Sequence, residues 1–246
     1  MKVDILFVAW NRLEFTTATW AWLIAHTPWE HVNRLIVYDD GSEDGTLEFL
    51  REQVDGIGDG MNGGLAAELR LGDFRSPPAV MNHYLQTSEA DLFAKVDNDI
   101  ALPGGWLDAL LSVMLKHPEL DLLGMEAGMV EMAGRDGKEW DGRYRFEPCT
   151  NIGGVGLMRV SAFKTRPAIP SRGRFGFTEW QQRYNLKRGW VRPDIHCPQL
   201  DRIPLEPWIS LTETYIENGW SRPWGKYDPV WMEPYWEWML TKEESA

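Results

Sequence analysis

The sequence predicts an α/β protein: a doubly wound, mostly parallel central sheet with flanking helices, followed by a Trp-rich C-terminal extension. Three observations carry this. Short apolar runs alternate with helix-patterned segments through the first half of the chain, as strands and crossover helices do. Three of those runs end in polar clusters, at residues 10–12, 39–42 and 97–99. Finally, six of the 14 tryptophans (208, 220, 224, 231, 236 and 238) lie in the last 39 residues, interleaved with Pro and Gly.

Residues 3–9 are almost continuously apolar apart from Asp4, and stop at Trp10-Asn11-Arg12 as a buried parallel strand would. Residues 14–26 follow with helical spacing, and Pro28 lies just past their end. A second strand is expected at 34–38. The turn after it, Asp39-Asp40-Gly41-Ser42-Glu43-Asp44-Gly45-Thr46, consists of residues that cap helices or tolerate positive φ. A second helix is expected over 46–54. Five glycines in residues 56–64 predict a flexible loop, and LAAELRL after it fits either a short strand or a helical turn. Prolines open a helix at 77–86, and residues 91–96 form a strand running into Asp97-Asn98-Asp99. Beyond the Pro103-Gly104-Gly105 break, an amphipathic helix covers 106–116 and a strand 120–124.

A chain of 246 residues, 43% hydrophobic, accommodates one sizeable core, here residues 1–205, with residues 206–246 as the extension. No apolar run approaches the roughly 18 residues of a spanning helix. The N-terminal apolar run turns polar too early for a signal peptide, so a cytoplasmic location is expected. Two cysteines, Cys149 and Cys197, lack metal-type spacing and predict free or buried thiols. The net charge of −12 disfavours attraction to nucleic-acid phosphates or anionic membranes, and an anionic ligand would then need a metal.

In a doubly wound sheet, ligands gather beyond the carboxyl ends of the strands, so the topology places the three polar clusters along one rim. Asp97 and Asp99, at i and i+2 in extended backbone, point to the same side and can meet one hard cation such as Mn²⁺ or Mg²⁺, which would bridge a diphosphate. The same spacing also occurs in ordinary caps and turns. Asp39 or Asp40, at a strand end, can accept the N–H of a base or the hydroxyls of a ribose, although the segment is also a well-made turn.

Taken in order and spacing, the segments ILFVAWNR, LIVYDDGSEDGT, AKVDNDIALPGGWLDALL and NIGGVGLMRVSAF resemble the family 2 glycosyltransferases, which have the GT-A fold. The likeness spans roughly residues 3–200. It implies that Asp39 and Asp40 hold the base and ribose of a nucleotide-sugar donor, that Trp10 contacts the base, and that Arg75 lies on the diphosphate side. Many relatives carry an Arg immediately before Asn82, where this chain has Met81. Asp97-Asn98-Asp99 resembles the family's metal and diphosphate motif. The Gly153-Gly154-Val155-Gly156 segment resembles its acceptor side, with a close strand crossing as the plain alternative. Glu179 stands where the family has its catalytic base, and a capping or salt-bridged glutamate is the alternative. His196, after a strand-like piece at 190–192, is a third metal ligand by the same resemblance or a structural histidine. The remaining histidines are expected to be surface or packing residues.

The expected function is therefore metal-dependent transfer of a glycosyl group, with inversion, from a nucleoside-diphosphate sugar (UDP being the commonest donor nucleotide in the resemblance) to a hydroxyl acceptor. The acceptor class stays open among a saccharide, a protein side chain, a lipid carrier and a modified base, with the charge and the lack of a spanning run disfavouring duplex DNA and an embedded lipid. The tryptophans of the extension suit stacking on carbohydrate, packing on the domain or a homodimer contact. Two other classes remain at this point: a sugar-phosphate nucleotidyltransferase, and a non-catalytic nucleotide-sugar or carbohydrate-binding module.

Overall fold

A computed structural model describes residues 2–60, 65–125, 144–149, 152–171, 176–192, 197 and 199–200. Among them the elements run β1 (Val3–Ala9), α1 (Leu13–His26), β2 (Val32–Asp39), α2 (Thr46–Gly60), β3 (Ala66–Leu71), α3 (Pro77–Thr87), β4 (Leu92–Asp97), α4 (Trp106–Lys116), β5 (Leu122–Gly124), β6 (Arg145–Pro148), β7 (Val155–Arg159), α5 (Val160–Lys164), α6 (Gly176–Arg183) and β8 (Arg188–Arg192). They form one eight-stranded sheet in the order β3-β2-β1-β4-β7-β5-β8-β6. The half β3-β2-β1-β4 is parallel throughout. Beyond it β7 runs antiparallel to both β4 and β5, β5 pairs β8 in parallel, and β6 closes the edge antiparallel to β8.

The side-chain alternation of β1 divides the core. Val3, Ile5 and Phe7 pack with Trp20 and Leu23 of α1, Leu50 and Val54 of α2, and Trp106 and Leu110 of α4. On the other face Leu6 and Val8 pack with Val80 and Tyr84 of α3, Phe163 of α5 and Trp180 of α6. Each of these large side chains contributes about 1.5–3 kcal/mol when fully removed from water. Helices on both faces explain why the parallel strands read as apolar runs rather than alternating ones.

The charge that β1 carries into the core is satisfied. Asp4, fully buried, receives Arg34 Nη2 at 2.6 Å, Asn33 Nδ2 at 2.8 Å and the Tyr84 hydroxyl at 3.1 Å. Arg159 closes the carboxyl end of α4 by donating to the Met114 carbonyl, one of the last-turn carbonyls that the helix itself leaves without a partner, and also to the Leu120 carbonyl just beyond the helix.

One expectation changes and one open reading is settled. The helix predicted for residues 46–54 continues to Gly60 and takes up the first part of the predicted glycine loop, because Leu50, Val54 and Ile57 keep one apolar stripe on the sheet through Gly56. Residues 61–64 lie outside the described residues. LAAELRL resolves as the edge strand β3, paired to β2 from Arg34↔Ala66 to Asp39↔Leu71. Among the described residues, no helix is long and apolar enough to cross a membrane. Cys149 and Cys197 are not joined in a disulfide, and burial pushes the Cys197 thiol well up.

A carboxylate rim at the strand ends

The parallel register sets Ala9 level with Asp39 and Val8 level with Asp97, so β1, β2 and β4 end together. The three polar clusters therefore meet, and Asn11 joins them. Its N–H donates to Ser42 Oγ at 2.7 Å, its Oδ1 accepts the Glu43 N–H at 2.7 Å, and its carbonyl accepts Asn98 Nδ2 at 2.8 Å. Asn11 and Arg12 both sit in the left-handed region, with φ of 52° and 68°. Such backbone persists only where the surroundings over-determine it, as these bonds do. Asp44 strengthens the same junction, accepting the N–H of Leu13 at the start of α1 and that of Thr46 at the start of α2. Two buried threonines of α1 complete the seam: Thr16 Oγ1 receives Asn98 Nδ2 and Thr19 Oγ1 receives the Ile100 N–H.

Asp39 and Asp40 differ sharply. Asp39 accepts the N–H groups of Gly41 and Ser42 through Oδ1, while its Oδ2 is buried without a hydrogen-bond partner. Asp40 uses both oxygens on the loop between β3 and α3, accepting the Phe74 N–H at 2.7 Å and the Ser76 N–H at 2.8 Å. Burial raises the Asp40 pKa, against the N–H groups of residues 74–76, which lower it. The clamped loop carries Arg75, whose φ is 49° and whose exposed guanidinium lies 3.5 Å from Glu43 and 3.4 Å from Asp73. Trp10 is half-buried at the end of β1.

In the third cluster each carboxylate already has a cation. Arg12 Nη1 donates to Asp99 Oδ2 at 2.8 Å, and Lys95, buried in β4, pairs with Asp97 Oδ1. Asp99 Oδ1 is buried with no hydrogen-bond partner, and Asp97 Oδ2 points at Gly154, where a Cβ would come within 3.1 Å. Burial pushes the Asp97 carboxyl up, Lys95 holds it down and Asp99 adds a further upward push. No group of three or more His, Cys, Asp or Glu side chains converges on a metal position among the described residues. Two carboxylates with an unsatisfied buried oxygen still suit Mg²⁺ or Mn²⁺, which are commonly held by one or two carboxylates with phosphate oxygens completing the shell.

The remaining predicted residues stand apart. Glu179 is exposed on the first turn of α6, and no hydrogen bond or ion pair joins it to Asp97 or Asp99. Its helix is anchored by the neighbours: Trp180 Nε1 donates to the Pro167 carbonyl, and buried Gln181 brackets both the N–H and the carbonyl of Ile152. That ties α6 to the chain two residues before Gly154. His196 lies outside the described residues, as does the whole of 206–246. The chain just after His196 returns to the rim, where Leu200 N–H donates to the Asp99 carbonyl at 2.6 Å and Gln199 bridges Ile100. Sequence reasoning placed Asn11 and Arg12 on the rim without giving either a role, and missed Lys95. A lysine inside an otherwise apolar strand, two residues before an aspartate, was the signal for Lys95.

A mostly parallel eight-stranded sheet with helices on both faces is the architecture of the GT-A glycosyltransferases, and this chain has that fold. Residues 4–164, more than half of the chain, match Glycosyl transferase family 2, and the chain belongs to that family and is a glycosyltransferase. This decides against the nucleotidyltransferase and binding-module alternatives. Glu179 and His196 fall beyond the matched residues.

Solved structures share the fold at low identity. Residues 1–349 of S. aureus TarS superpose with a TM-score of 0.57 at 14% identity, covering 91% of this chain and 73% of that one. The mannosyltransferase PcManGT from Pyrobaculum calidifontis, in complex with GDP-Man and Mn²⁺, gives 0.60 at 13%, covering 92% and 65%. GalNAc-T7 with UDP, GalNAc and Mn²⁺ gives 0.58 at 14%, covering 80% and 43%. The chain thus spans less than two thirds of the last two. No individual curated protein matches the chain by sequence.

Proposed function

We infer that this chain transfers a glycosyl group from a nucleoside-diphosphate sugar to a hydroxyl acceptor, with a divalent cation and with inversion. The observation that carries the reading is a pair of buried carboxylate oxygens without partners, Asp39 Oδ2 and Asp99 Oδ1, on one rim of a family 2 fold. Leaving a buried acceptor unsatisfied costs about 1–3 kcal/mol each, and a bound donor would relieve both. Solved relatives support the donor class and the ion: a TarS fragment is described with UDP-GlcNAc, PcManGT with GDP-Man and Mn²⁺.

In this reading Asp39 Oδ2 accepts a base N–H or a ribose hydroxyl, and Trp10 covers the base. Asp40 holds the loop that aims Arg75 towards the diphosphate. Asp97 and Asp99 hold the cation, with His196 as the further ligand carried over from the family resemblance. The bound Mn²⁺ or Mg²⁺ would neutralise charge developing on the leaving diphosphate. Glu179 accepts the acceptor's hydroxyl proton as its oxygen bonds to the anomeric carbon from the face opposite the breaking sugar–phosphate bond. Gly154, lacking a Cβ, leaves Asp97 Oδ2 and the acceptor approach unobstructed. The Trp-rich residues 206–246, which lie outside the described residues, keep the three roles their composition suits: stacking on acceptor sugar, packing on the domain or contact with a second copy of the chain.

The test is incubation with a panel of UDP- and GDP-sugars and Mn²⁺, following nucleoside-diphosphate release. Release that stops with chelator and in Asp99→Ala supports the reading, and release indifferent to both overturns the metal dependence.

A further inference from the structure

The two carboxylates of Asp97-Asn98-Asp99 are not free anions. Lys95 and Asp97 lie at i and i+2 on β4, on the same face of the strand, so the ammonium and carboxylate are held together by the pleat. Lys95 is only 4% exposed, and a lysine is almost never this deeply buried unless paired. Arg12 reaches Asp99 from the loop between β1 and α1, stacked over the Phe15 ring with its guanidinium carbon 4.7 Å from the ring centroid. Its backbone is fixed in the left-handed region beside Asn11, so the guanidinium is placed by the fold.

These four side chains carry two positive and two negative charges and balance. A divalent ion entering alone would add two uncompensated positive charges to a poorly hydrated site that already holds an ammonium and a guanidinium, which low-dielectric surroundings penalise. The same ion entering with a diphosphate brings its own counter-charge, and the diphosphate oxygens meet Arg12 and Lys95 as further donors.

We propose that Arg12 and Lys95 are resident counter-cations that withhold Asp97 and Asp99 from a free divalent ion and make metal binding conditional on a nucleoside diphosphate. They act as positioning residues, and the inference rests on the reading that Asp97 and Asp99 hold the cation. It gives the site selectivity for the metal–donor pair over either component.

The measurement is Mn²⁺ binding to the purified full chain, by electron paramagnetic resonance of free Mn²⁺, with and without UDP or GDP. The wild type should bind Mn²⁺ alone weakly and at least about tenfold more tightly with one of the nucleotides, within the range of ordinary coupling between sites. Arg12→Gln should bind Mn²⁺ alone about tenfold more tightly than wild type and lose most of the nucleotide enhancement. Arg12→Lys, which keeps the charge, should retain the enhancement, and Lys95→Met provides a second neutral variant should Arg12→Gln melt below the assay temperature. The inference is overturned if a folded neutral variant shows wild-type Mn²⁺ affinity and wild-type enhancement. Wild type that binds no Mn²⁺ with either nucleotide overturns the metal reading itself and this inference with it.

Discussion

Asn98 Nδ2 donates to the Asn11 carbonyl at 2.8 Å and also to Thr16 Oγ1 at 2.8 Å, so the middle residue of the acidic triplet is bolted to β1 and α1 while its neighbours face the site. Asn98→Asp cannot donate to the Asn11 carbonyl, because an ionised carboxylate only accepts, and it keeps a bond to Thr16 only if that hydroxyl turns away from the Asn11 carbonyl to donate. It would set a buried negative charge against the Asn11 carbonyl. The expected cost is about 1–3 kcal/mol. For a chain of this size that lowers the melting temperature by about 2–4 °C per kcal/mol, read by thermal unfolding. Unchanged melting would mean that the triplet is held some other way.

Asp39 and Asp40 are adjacent and predicted together, and the structure separates their consequences. Asp39→Asn keeps the oxygen that accepts from Gly41 and Ser42 and changes only the buried oxygen without a partner. Stability should stay within about 1 kcal/mol of wild type. Donor affinity should fall roughly ten- to a hundredfold, the worth of one hydrogen bond to a charged group. Calorimetric titration with UDP and GDP checks it, and undiminished affinity would remove Asp39 from the donor site.

Asp40→Asn acts on the fold instead. One of the N–H groups of Phe74 and Ser76 loses its acceptor, which costs about 1–3 kcal/mol and frees the loop that carries Arg75. The pH dependence has a definite sign. Burial raises the folded-state pKa of Asp40, so the folded chain keeps this proton to a higher pH than the unfolded chain, whose aspartates titrate near about 3.9. The stability tied to this group is complete below the unfolded value and is lost as pH rises through the folded one. The melting-temperature gap between wild type and Asp40→Asn should therefore narrow as pH rises from the acid side of that window. A gap that widens would show the three N–H donors outweighing burial.

The sequence made β1, β2 and β4 legible because these strands are largely buried on both faces and the helices between them carry plain stop signals, whereas the exposed edge strand β3 stayed open between strand and helical turn. Trp106–Lys116 was predicted residue for residue, flanked by the Pro103-Gly104-Gly105 break. The rim was legible as three clusters because topology alone brings strand ends together. Which side chains pair across that rim was not. The Arg12–Asp99 contact spans 87 residues and depends on two left-handed backbone positions, which local patterns do not encode. Nor does the apolar pattern reveal that β7 inserts antiparallel between β4 and β5, since the choice of pairing partner is non-local. The Gly153-Gly154-Val155-Gly156 segment, read as acceptor side or close crossing, leads into this strand, and a Cβ at Gly156 would lie 2.7 Å from Ile152 Cγ2 and 3.1 Å from the Leu123 carbonyl of β5. The crossing is therefore real, while Gly154 faces Asp97.

Glu179 is exposed on α6, while Trp180 and Gln181 anchor the helix. Glu179→Gln should therefore leave the melting temperature and UDP binding at wild-type values. As the proton acceptor its loss should reduce turnover about 10²–10⁴-fold, the usual range for general-base removal. Nucleoside-diphosphate release at saturating donor and acceptor reads this. Full turnover in the variant would assign the base to another residue.

Gly154→Ala separates packing from chemistry at the acidic pair. The new methyl carbon would lie 3.1 Å from Asp97 Oδ2 and 3.3 Å from Ile100 Cδ1, contacts that require each neighbour to yield by a few tenths of an ångström. Gly154 is not among the positive-φ glycines, so alanine fits the backbone and removes conformational freedom from the unfolded chain, worth about 0.4–1 kcal/mol in favour of folding. The two effects oppose in stability, and the melting temperature should move little in either direction. They do not oppose in function, because the displaced atom is a carboxylate oxygen assigned to the cation. Mn²⁺ affinity in the presence of nucleotide should fall, and turnover with it, by roughly tenfold for a misplacement of this size, given that shifts of about 1 Å cost around a hundredfold. A variant that melts like wild type and binds Mn²⁺ like wild type would place the cation away from Asp97 Oδ2.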